Sequence, residues 1–525
     1  MIRFVNNYSL VNNPLKNKFN KVVVLDTVIF YPEHEAILKE LVKNPKIERV
    51  PLEYNQKEKN WELPENYRMP EDATIIIWPS SLPESFDGIT PEIHEKLKTA
   101  YCYVEEGLRD NIPAQNLLNR IGDADCVITC WTAIPDVVLE KIKPKAIITW
   151  THEYEHRLNV TKAHEKGIYT ASVDDYGTDA VAELELNMLL ELIERNKKTD
   201  QKAKTEEDYT IGVLLELFRH YRKTYINEKN TRKGKFSHQF HKIGRSLKHY
   251  GDFTGKSLDD VVPPKLLEGK NIGFFAPEKN LNHLIEVLQN GFGVNVAVYK
   301  NMDSHFAGFY KLLSLNDIVI FDSKKIDTIT LDKIKVIKKG LAIDLQSLSH
   351  FNETLKNKIL GVIGLGRIGN NVARIAAIWG MKVCYSGTDK NNKYEHLDLD
   401  DLIKNSDIIS LNVKAHKAKN LLSRDKIQII KTGSYFINTS DGNALDQSAL
   451  TERMLSNEVY CGLDVYPGLP TTKTMCLDNY INGKLQNQLA NHVLTYRAGW
   501  GTQESIKVKT YKLLGHMIRV LSESQ

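Results

Sequence analysis

The 525-residue chain has few cysteines, little net charge and no long apolar run. Six cysteines in so long a chain do not make the disulfide framework of a small secreted domain. A formal net charge of +4 does not indicate nucleic acid as a partner. No apolar stretch approaches the ~20 residues that cross a bilayer, and the polar N-terminus lacks the apolar core of a signal peptide. These absences favour a protein of the reducing cytoplasm that binds neither membrane nor nucleic acid.

The chain is too long for one core, since a single core rarely exceeds roughly 250–300 residues. Residues 1–200 alternate short β-branched runs such as KVVVLDTVIF with helical segments such as EHEAILKELVKN, which predicts a parallel sheet covered on both faces. Residues 201–265 form a basic insert whose cations concentrate at 219–250. This segment either binds phosphates or an acidic partner through its cations, or is a solvated helix and loop between domains. The second interpretation is favoured because no nucleic-acid-binding signature accompanies them.

The remainder of the chain contains an internal repeat. GKNIGFFAPEKNLNHLIEVLQNGFGVNVAVY matches KNKILGVIGLGRIGNNVARIAAIWGMKVCYS in the order of strand, helix and strand, and DKIKVIKKG later matches DKIQIIKTG. This similarity predicts two Rossmann-like units, one at about 268–348 and one at about 355–500. The predicted domains are therefore 1–200, the insert 201–265, 266–350, 351–500 and a C-terminal helix at 501–525 that returns to the first domain.

The second copy carries a G-x-G-x-x-G turn between an apolar strand and a helix. Gly364 allows the tight turn, Gly366 lets the backbone approach a pyrophosphate, and Gly369 lets the helix pack close to the strand. The helix N-terminus adds free N–H groups and the positive end of the helix dipole. The turn therefore predicts a dinucleotide site.

The first copy has Ala276, Glu278 and Leu281 at the matching positions. Side chains there would keep the backbone away from a phosphate, and a carboxylate would repel it. We predict that this copy binds no dinucleotide and is a degenerate unit.

The end of the second strand bears on the choice between NAD and NADP. An acidic residue there usually binds the ribose of NAD, but here Ser386, Gly387 and Thr388 precede Asp389, and Lys390 follows. Asp389 favours NAD, whereas a hydroxyl followed by a cation would accommodate a 2′-phosphate. The cofactor is NAD or NADP, with NAD slightly preferred.

These motifs, taken in order, resemble the D-2-hydroxyacid dehydrogenase family. ADCVITCWTAIPDVVLEKIKPKAIITW and DDYGTDAVAELELNMLLEL resemble the family's flavodoxin-like substrate domain. GVIGLGRIG, SDIISLNV, GSYFINTSDGNAL, CGLDVYP and LTYRAGWGTQES resemble the successive landmarks of its Rossmann domain. The resemblance implies an α/β fold with a flavodoxin-like substrate domain and a doubly wound Rossmann domain, to which this chain adds the degenerate unit. It also implies a homodimer formed through the nucleotide domain.

The resemblance implies cofactor contacts at six further positions. These are Arg367 and Ile368 at the pyrophosphate, Asn412 and Val413 beside the adenosine-side ribose, Thr439 near the nicotinamide ribose, and Asp464 on the carboxamide.

The catalytic pattern of the family is broken. Its substrate-binding Arg is replaced by Asp441, its Glu by Leu469, and its His by Tyr496 or Arg497, depending on a one-residue gap. Asp441 would repel a substrate carboxylate, and a guanidinium does not exchange protons near neutral pH because its pKa exceeds ~12. One hypothesis is that Asp441 and Arg497 form an ion pair across the emptied site.

The loop on the substrate side also departs from the family. THEYEH spells H-E-x-x-H with His152 and His156, but the zinc signature needs a helix and this segment follows a strand. A substituted pocket loop without a metal is the favoured interpretation, and either histidine is a candidate proton donor. Cys126 and Cys130 are expected to be buried strand thiols.

Two main functions remain open. One is a divergent NAD(P)-dependent oxidoreductase acting on CH–OH/C=O groups of an unidentified small molecule, with Tyr496, His152 or His156 as the new acid. The other is a non-catalytic nucleotide-binding scaffold or redox sensor with a protein partner. A third is a subunit whose site another chain completes.

Overall fold

The computed structural model describes much of the chain on both sides of the basic insert. The described residues are 17–25, 28–51, 53–55, 60–78, 114–130, 132–151, 157–195, 211, 266–275, 281–299, 315–321, 342–344, 355–388, 393–413, 419–465, 492–495, 499–500 and 502–523. Within these ranges no helix is both long and apolar enough to span a bilayer.

The N-terminal unit, residues 17–195, contains a six-stranded parallel sheet and a separate antiparallel hairpin. Its strands are β1 (Val22–Val24), β2 (Ile47–Arg49), β3 (Glu53–Asn55), β4 (Asn60–Glu62), β5 (Ile75–Ile77), β6 (Cys126–Thr129), β7 (Ala146–Thr149) and β8 (Tyr169–Ser172). The sheet order is β2-β5-β1-β6-β7-β8, and β3 pairs with β4. The five strands from β5 to β8 follow the flavodoxin-like order, with β2 added at one edge.

Helices cover this sheet. They are α1 (Pro32–Glu40), α2 (Ala114–Ile121), α3 (Asp136–Leu139), α4 (Val160–Glu165) and α5 (Thr178–Arg195). Helix α5 is buried along residues 182–190, and Glu183, Glu185 and Asn187 are among these buried residues. It accordingly packs against strands and a helix of the nucleotide-binding unit described below.

The middle unit, residues 266–344, contains a four-stranded parallel sheet. Its elements are β9 (Asn271–Phe275), α6 (Asn282–Glu286) with a following π turn (Val287–Gly291), β10 (Asn295–Tyr299), β11 (Ile318–Phe321) and β12 (Ala342–Asp344). The sheet order is β10-β9-β11-β12.

The nucleotide-binding unit, residues 355–495, contains a seven-stranded parallel sheet. Its elements are β13 (Ile359–Ile363), α7 (Arg367–Ile378), β14 (Lys382–Ser386), β15 (Glu395–His396), α8 (Leu399–Asn405), β16 (Ile408–Leu411), α9 (Arg424–Gln428), β17 (Ser434–Asn438), a 3-10 turn (Gly442–Ala444), α10 (Gln447–Leu455), β18 (Val459–Leu463) and β19 (His492–Leu494). The order β15-β14-β13-β16-β17-β18-β19 is that of a doubly wound Rossmann sheet.

The last helix, α11 (Gln503–Glu523), lies on the N-terminal sheet, where it contacts β7, β8 and α1. Its apolar side chains Ile506, Leu513 and Met517 share a core with Val22 and Ile148. The fold class predicted from the sequence, α/β with flavodoxin-like, Rossmann and further Rossmann-like sheets, is confirmed.

Candidate functional site

The glycine turn lies between β13 and α7, at the carboxyl end of the sheet, where α/β folds bind ligands. Gly364 has φ +89, and a Cβ there would lie 2.3 Å from the Asn412 carbonyl oxygen. A Cβ at Gly369 would lie 2.2 Å from the Gly364 oxygen. At Gly366, by contrast, a Cβ would meet no atom of the described residues within 4 Å. The turn therefore leaves open space at Gly366, next to the first N–H groups of α7, which have no partner within the helix.

The surroundings of the turn come from two units. Gly387, just after β14, approaches the turn, because its Cβ would lie 3.8 Å from Gly364 Cα. Arg367 opens α7 and lies 4.0 Å from Asp174 and 3.9 Å from Asp175, on the loop before α5. Ile368 packs partly buried against the core. Asp389, which bears on the choice between NAD and NADP, lies outside the described residues.

Asn412 and Val413 follow β16 and line the same edge of the turn. The Asn412 amide donates to Ser410 Oγ at 2.6 Å. Its Oδ1 is buried and accepts no hydrogen bond from any described residue. A buried acceptor without a donor costs free energy, and a ligand hydroxyl would supply one. The residues present therefore fit a bound dinucleotide.

A buried acid lies directly behind this edge. Glu185 of α5 is 2 % exposed, and its carboxylate accepts from Ser410 Oγ at 2.5 Å and Thr439 Oγ1 at 2.5 Å, with Asn412 Nδ2 at 3.5 Å. Burial raises the pKa of the Glu185 carboxyl to about 7, and the nearby charge of Asp464 acts in the same direction, whereas the three donors lower it. Glu185 therefore connects α5 with two of the predicted cofactor contacts, Asn412 and Thr439.

Asp464 follows β18 and is 3 % exposed. Its carboxylate accepts from Thr495 Oγ1 at 2.6 Å and from the Gly499 N–H at 3.2 Å. A Cβ at Gly499 would lie within 3.1 Å of Val181 and 3.2 Å of Leu184, so a larger residue would push this loop away from α5. The glycine thus lets a backbone donor reach Asp464.

Asp441 is held within its own turn. Its carboxylate accepts from the Asn443 N–H at 2.9 Å, which caps the 3-10 turn, and its carbonyl accepts from the Asn438 amide at 2.9 Å. The other candidate catalytic positions, Tyr496, Arg497, His152 and His156, and also Leu469, lie outside the described residues, and so does the hypothetical Asp441–Arg497 ion pair.

The remaining candidates have plain structural surroundings. Cys126 and Cys130 are buried free thiols, and burial raises the pKa of Cys126. His492 begins β19, where it is buried and pairs in register with Cys461. The described part of the chain contains no group of three or more His, Cys, Asp or Glu that could hold a metal ion.

Comparison with known proteins finds one sequence family that matches part of the chain. Residues 337–483 match the sequence model of the D-isomer specific 2-hydroxyacid dehydrogenase NAD binding domain. This match covers less than half of the chain, and it makes the nucleotide-binding unit similar to that domain. The match supports NAD or NADP as the cofactor of this unit.

Curated relatives match over the same part of the chain. A hydroxypyruvate reductase of Thermotoga maritima is 38% identical over 137 residues, which are 24% of this chain and 45% of that protein. A putative 2-hydroxyacid dehydrogenase of Staphylococcus aureus is 35% identical over 120 residues, 21% of this chain and 38% of that protein. The chain thus spans less than half the length of these relatives.

Solved structures are also similar. A putative D-isomer specific 2-hydroxyacid dehydrogenase from Polaromonas is 16% identical with a TM-score of 0.48, covering 97% of this chain and 98% of that one. A D-2-hydroxyisocaproate dehydrogenase is 15% identical with a TM-score of 0.42, covering 78% and 87%.

At this site, sequence reasoning missed Glu185, Ser410 and Thr495. Glu185 lies in an apolar helical run and 225 positions from Ser410, so no local pattern indicates their contact. One signal was available: an acid in the middle of a helix that must be buried needs polar partners.

Proposed function

We propose that the protein is an NAD(P)-dependent oxidoreductase that acts on CH–OH/C=O groups with a rebuilt catalytic site. The observation that carries the proposal is the preserved cofactor cradle. The turn is open at Gly366, Asn412 Oδ1 lacks a donor among the described residues, and Asp464 is buried and oriented by Thr495 and Gly499. Hydride transfer needs mainly a positioned nicotinamide and a substrate carbon beside it.

Different residues of the chain would bind different parts of the dinucleotide. The α7 N-terminus and the bare turn hold the diphosphate, Asn412 and Thr439 contact the riboses, and Asp464 accepts from the carboxamide. When bound, the nicotinamide supplies or takes up the hydride. NAD is preferred slightly over NADP because Asp389 follows the second strand.

Asp441 stands in place of the family's Arg, Leu469 in place of its Glu, and Tyr496 or Arg497 in place of its His. The reaction therefore requires a new proton donor. We propose Tyr496, His152 or His156 for this role. The unidentified substrate, the cytoplasm as compartment and the homodimer remain predictions.

The experiment has two stages. Fluorescence titration with NADH and NADPH measures binding, and a screen of 2-keto acids and aldehydes then measures NAD(P)H consumption. Turnover that is lost in Tyr496→Phe, His152→Ala or His156→Ala, while nucleotide affinity is unchanged, identifies the acid. Gly366→Val serves as the control that should lose both binding and turnover.

A non-catalytic nucleotide sensor is the alternative, and Asp441 is the observation that favours it. A half-buried carboxylate stands where the family has a cation and is already used as a cap. Nucleotide binding with no consumption across the whole screen would support the sensor and contradict the oxidoreductase. Absence of binding at millimolar NADH and NADPH would contradict both.

A further inference from the structure

The middle unit repeats the nucleotide-binding unit at the level of single hydrogen bonds. Both sheets are parallel, and β10-β9-β11-β12 corresponds in order to β14-β13-β16-β17. In each unit the first residue of the first strand donates its backbone N–H to an aspartate. A positive-φ residue just before that strand donates its N–H to the carbonyl of a positive-φ glycine that follows the helix. The bonds are Asn271 to Asp317 (2.8 Å) and Ile359 to Asp407 (2.9 Å), and Gly269 to Gly293 (2.9 Å) and Asn357 to Gly380 (2.8 Å).

The two units differ in length by one residue between their paired strands. In the middle unit Asn295 pairs with Asn271, 24 positions away, and in the nucleotide-binding unit Lys382 pairs with Ile359, 23 positions away. The extra residue lies in the π turn Val287–Gly291, because a π turn is a single-residue insertion in an α-helix. Phe292, just before Gly293, therefore corresponds to Trp379, just before Gly380.

These corresponding residues contact each other. The rings of Phe292 and Trp379 have centroids 5.7 Å apart at an interplanar angle of 77°, and their exposures are 3 % and 1 %. In a two-fold arrangement the residues on the axis contact their own equivalents. A contact of this kind, between equivalent residues, is what a local pseudo-two-fold axis between the two units requires.

The neighbouring contacts extend this pairing along α7. Arg374 donates to the carbonyls of Asn290 and Gly291, which close the π turn, the second at 3.0 Å. A Cβ at Gly291 would lie 3.5 Å from Ile375 Cγ2. Apolar side chains of both units form one continuous core with α5, including Phe274, Leu288, Val372, Ile375 and Trp379.

We infer that the middle unit is a built-in partner of the nucleotide-binding unit and occupies its α7 face within the same chain. Two observations favour pairing within one chain. The contact residues are buried rather than exposed, and only residues 345–354 separate β12 from Leu355. So short a connection gives the two units a high effective concentration for each other. The inference does not depend on the proposed reaction.

A cysteine pair tests the inference on the full chain. A Cβ at Gly291 would lie 3.5 Å from Ile375 Cγ2, so we expect Gly291→Cys combined with Ile375→Cys to form a disulfide within one chain. Peptide mapping should identify the 291–375 bond apart from the six native cysteines. The matched control combines Gly291→Cys with Lys404→Cys on α8, a helix that lies against β13 and β14, and should not form a bond between its new cysteines.

Two outcomes would overturn the inference. If the double variant stays reduced at 291 and 375, the units do not pair through this face. If the two single variants, expressed together, give a 291–375 bond between different chains, the partner is a second copy and the units are exchanged. Bond formation in the double variant, with no such bond between co-expressed single variants, supports pairing within the chain.

Discussion

At the scale of single residues, Asp441 is the acid that the family resemblance places at the position of the substrate-binding Arg. Its carboxylate caps the 3-10 turn through the Asn443 N–H, and the Asn438 amide holds its carbonyl. A half-buried negative charge there disfavours an anionic substrate, because charges interact more strongly away from bulk water.

Asp441→Asn separates the charge from the cap. Asparagine caps helix starts as well as aspartate does, so the turn should persist. Removing the charge should lower the KM for a 2-keto acid about fivefold, which corresponds to on the order of 1 kcal/mol. Steady-state kinetics with a keto acid and an uncharged aldehyde measure this, and the KM of the aldehyde should not change.

Asp446→Asn is the matched control, because Asp446 caps α10 in the same way, through the Ala449 N–H. It should leave both KM values as in the wild type. An unchanged keto-acid KM in Asp441→Asn would show that no carboxylate binds near this turn.

Glu185 should make the free energy of unfolding fall as the pH rises. Burial raises the pKa of its carboxyl from 4.5 to about 7, so the folded chain holds a proton that the unfolded chain releases. The stability that protonated Glu185 contributes is fully present below pH 4.5 and is lost as the pH rises through about 7. Across this range the free energy of unfolding should change by on the order of 3 kcal/mol.

Glu185→Gln removes this titration. Relative to the wild type, the variant should gain stability as the pH rises from about 4.5 to about 7, since glutamine does not ionise. Urea unfolding at a series of pH values measures the free energy of unfolding of both chains.

Leu186→Ala is the control from the same helix. Leu186 is 2 % exposed, and its truncation should cost about 2–5 kcal/mol equally at every pH. Parallel pH profiles for Glu185→Gln and the wild type would show that Glu185 ionises alike in the folded and unfolded chains.

At the scale of elements, the glycines of the β13–turn–α7 segment have different structural roles. A Cβ at Gly366 meets none of the described residues within 4 Å, whereas one at Gly369 would clash with the Gly364 carbonyl at 2.2 Å. Gly366→Val should therefore leave the thermal midpoint nearly unchanged and lower NADH affinity at least ~100-fold, because its side chain takes the place of the diphosphate. Thermal unfolding and fluorescence titration measure the two effects.

Gly369→Val is the comparison within the same segment. It should lower the thermal midpoint strongly, since α7 can no longer approach β13. Wild-type affinity in Gly366→Val would mean that the dinucleotide does not lie against this turn.

At the scale of the whole molecule, the sequence predicts what depends on local spacing. The glycine turn is recognisable because strand, turn and helix are contiguous, and the repeat is recognisable because DKI-x-x-IK-x-G recurs. The Glu185 cluster could not be predicted, since its partners lie 225 to 254 positions away. The repeat likewise shows that two units are alike without showing which of their faces are in contact. That face is known only from structural contacts such as the one between Phe292 and Trp379.

The pairing of an intact unit with a degenerate one predicts one dinucleotide per chain. In the middle unit Leu281, at the position of Gly369, is 6 % exposed and packs into the core, whereas Ala276 and Glu278 lie outside the described residues. Calorimetry with NADH should give a stoichiometry of one per chain, and NADH at 100 times its Kd should stabilise the fold by about 2.7 kcal/mol. Gly366→Val should abolish all of the binding rather than half of it. Two sites per chain, or half of the sites retained in Gly366→Val, would show that the middle unit also binds nucleotide through a turn that lacks all three glycines.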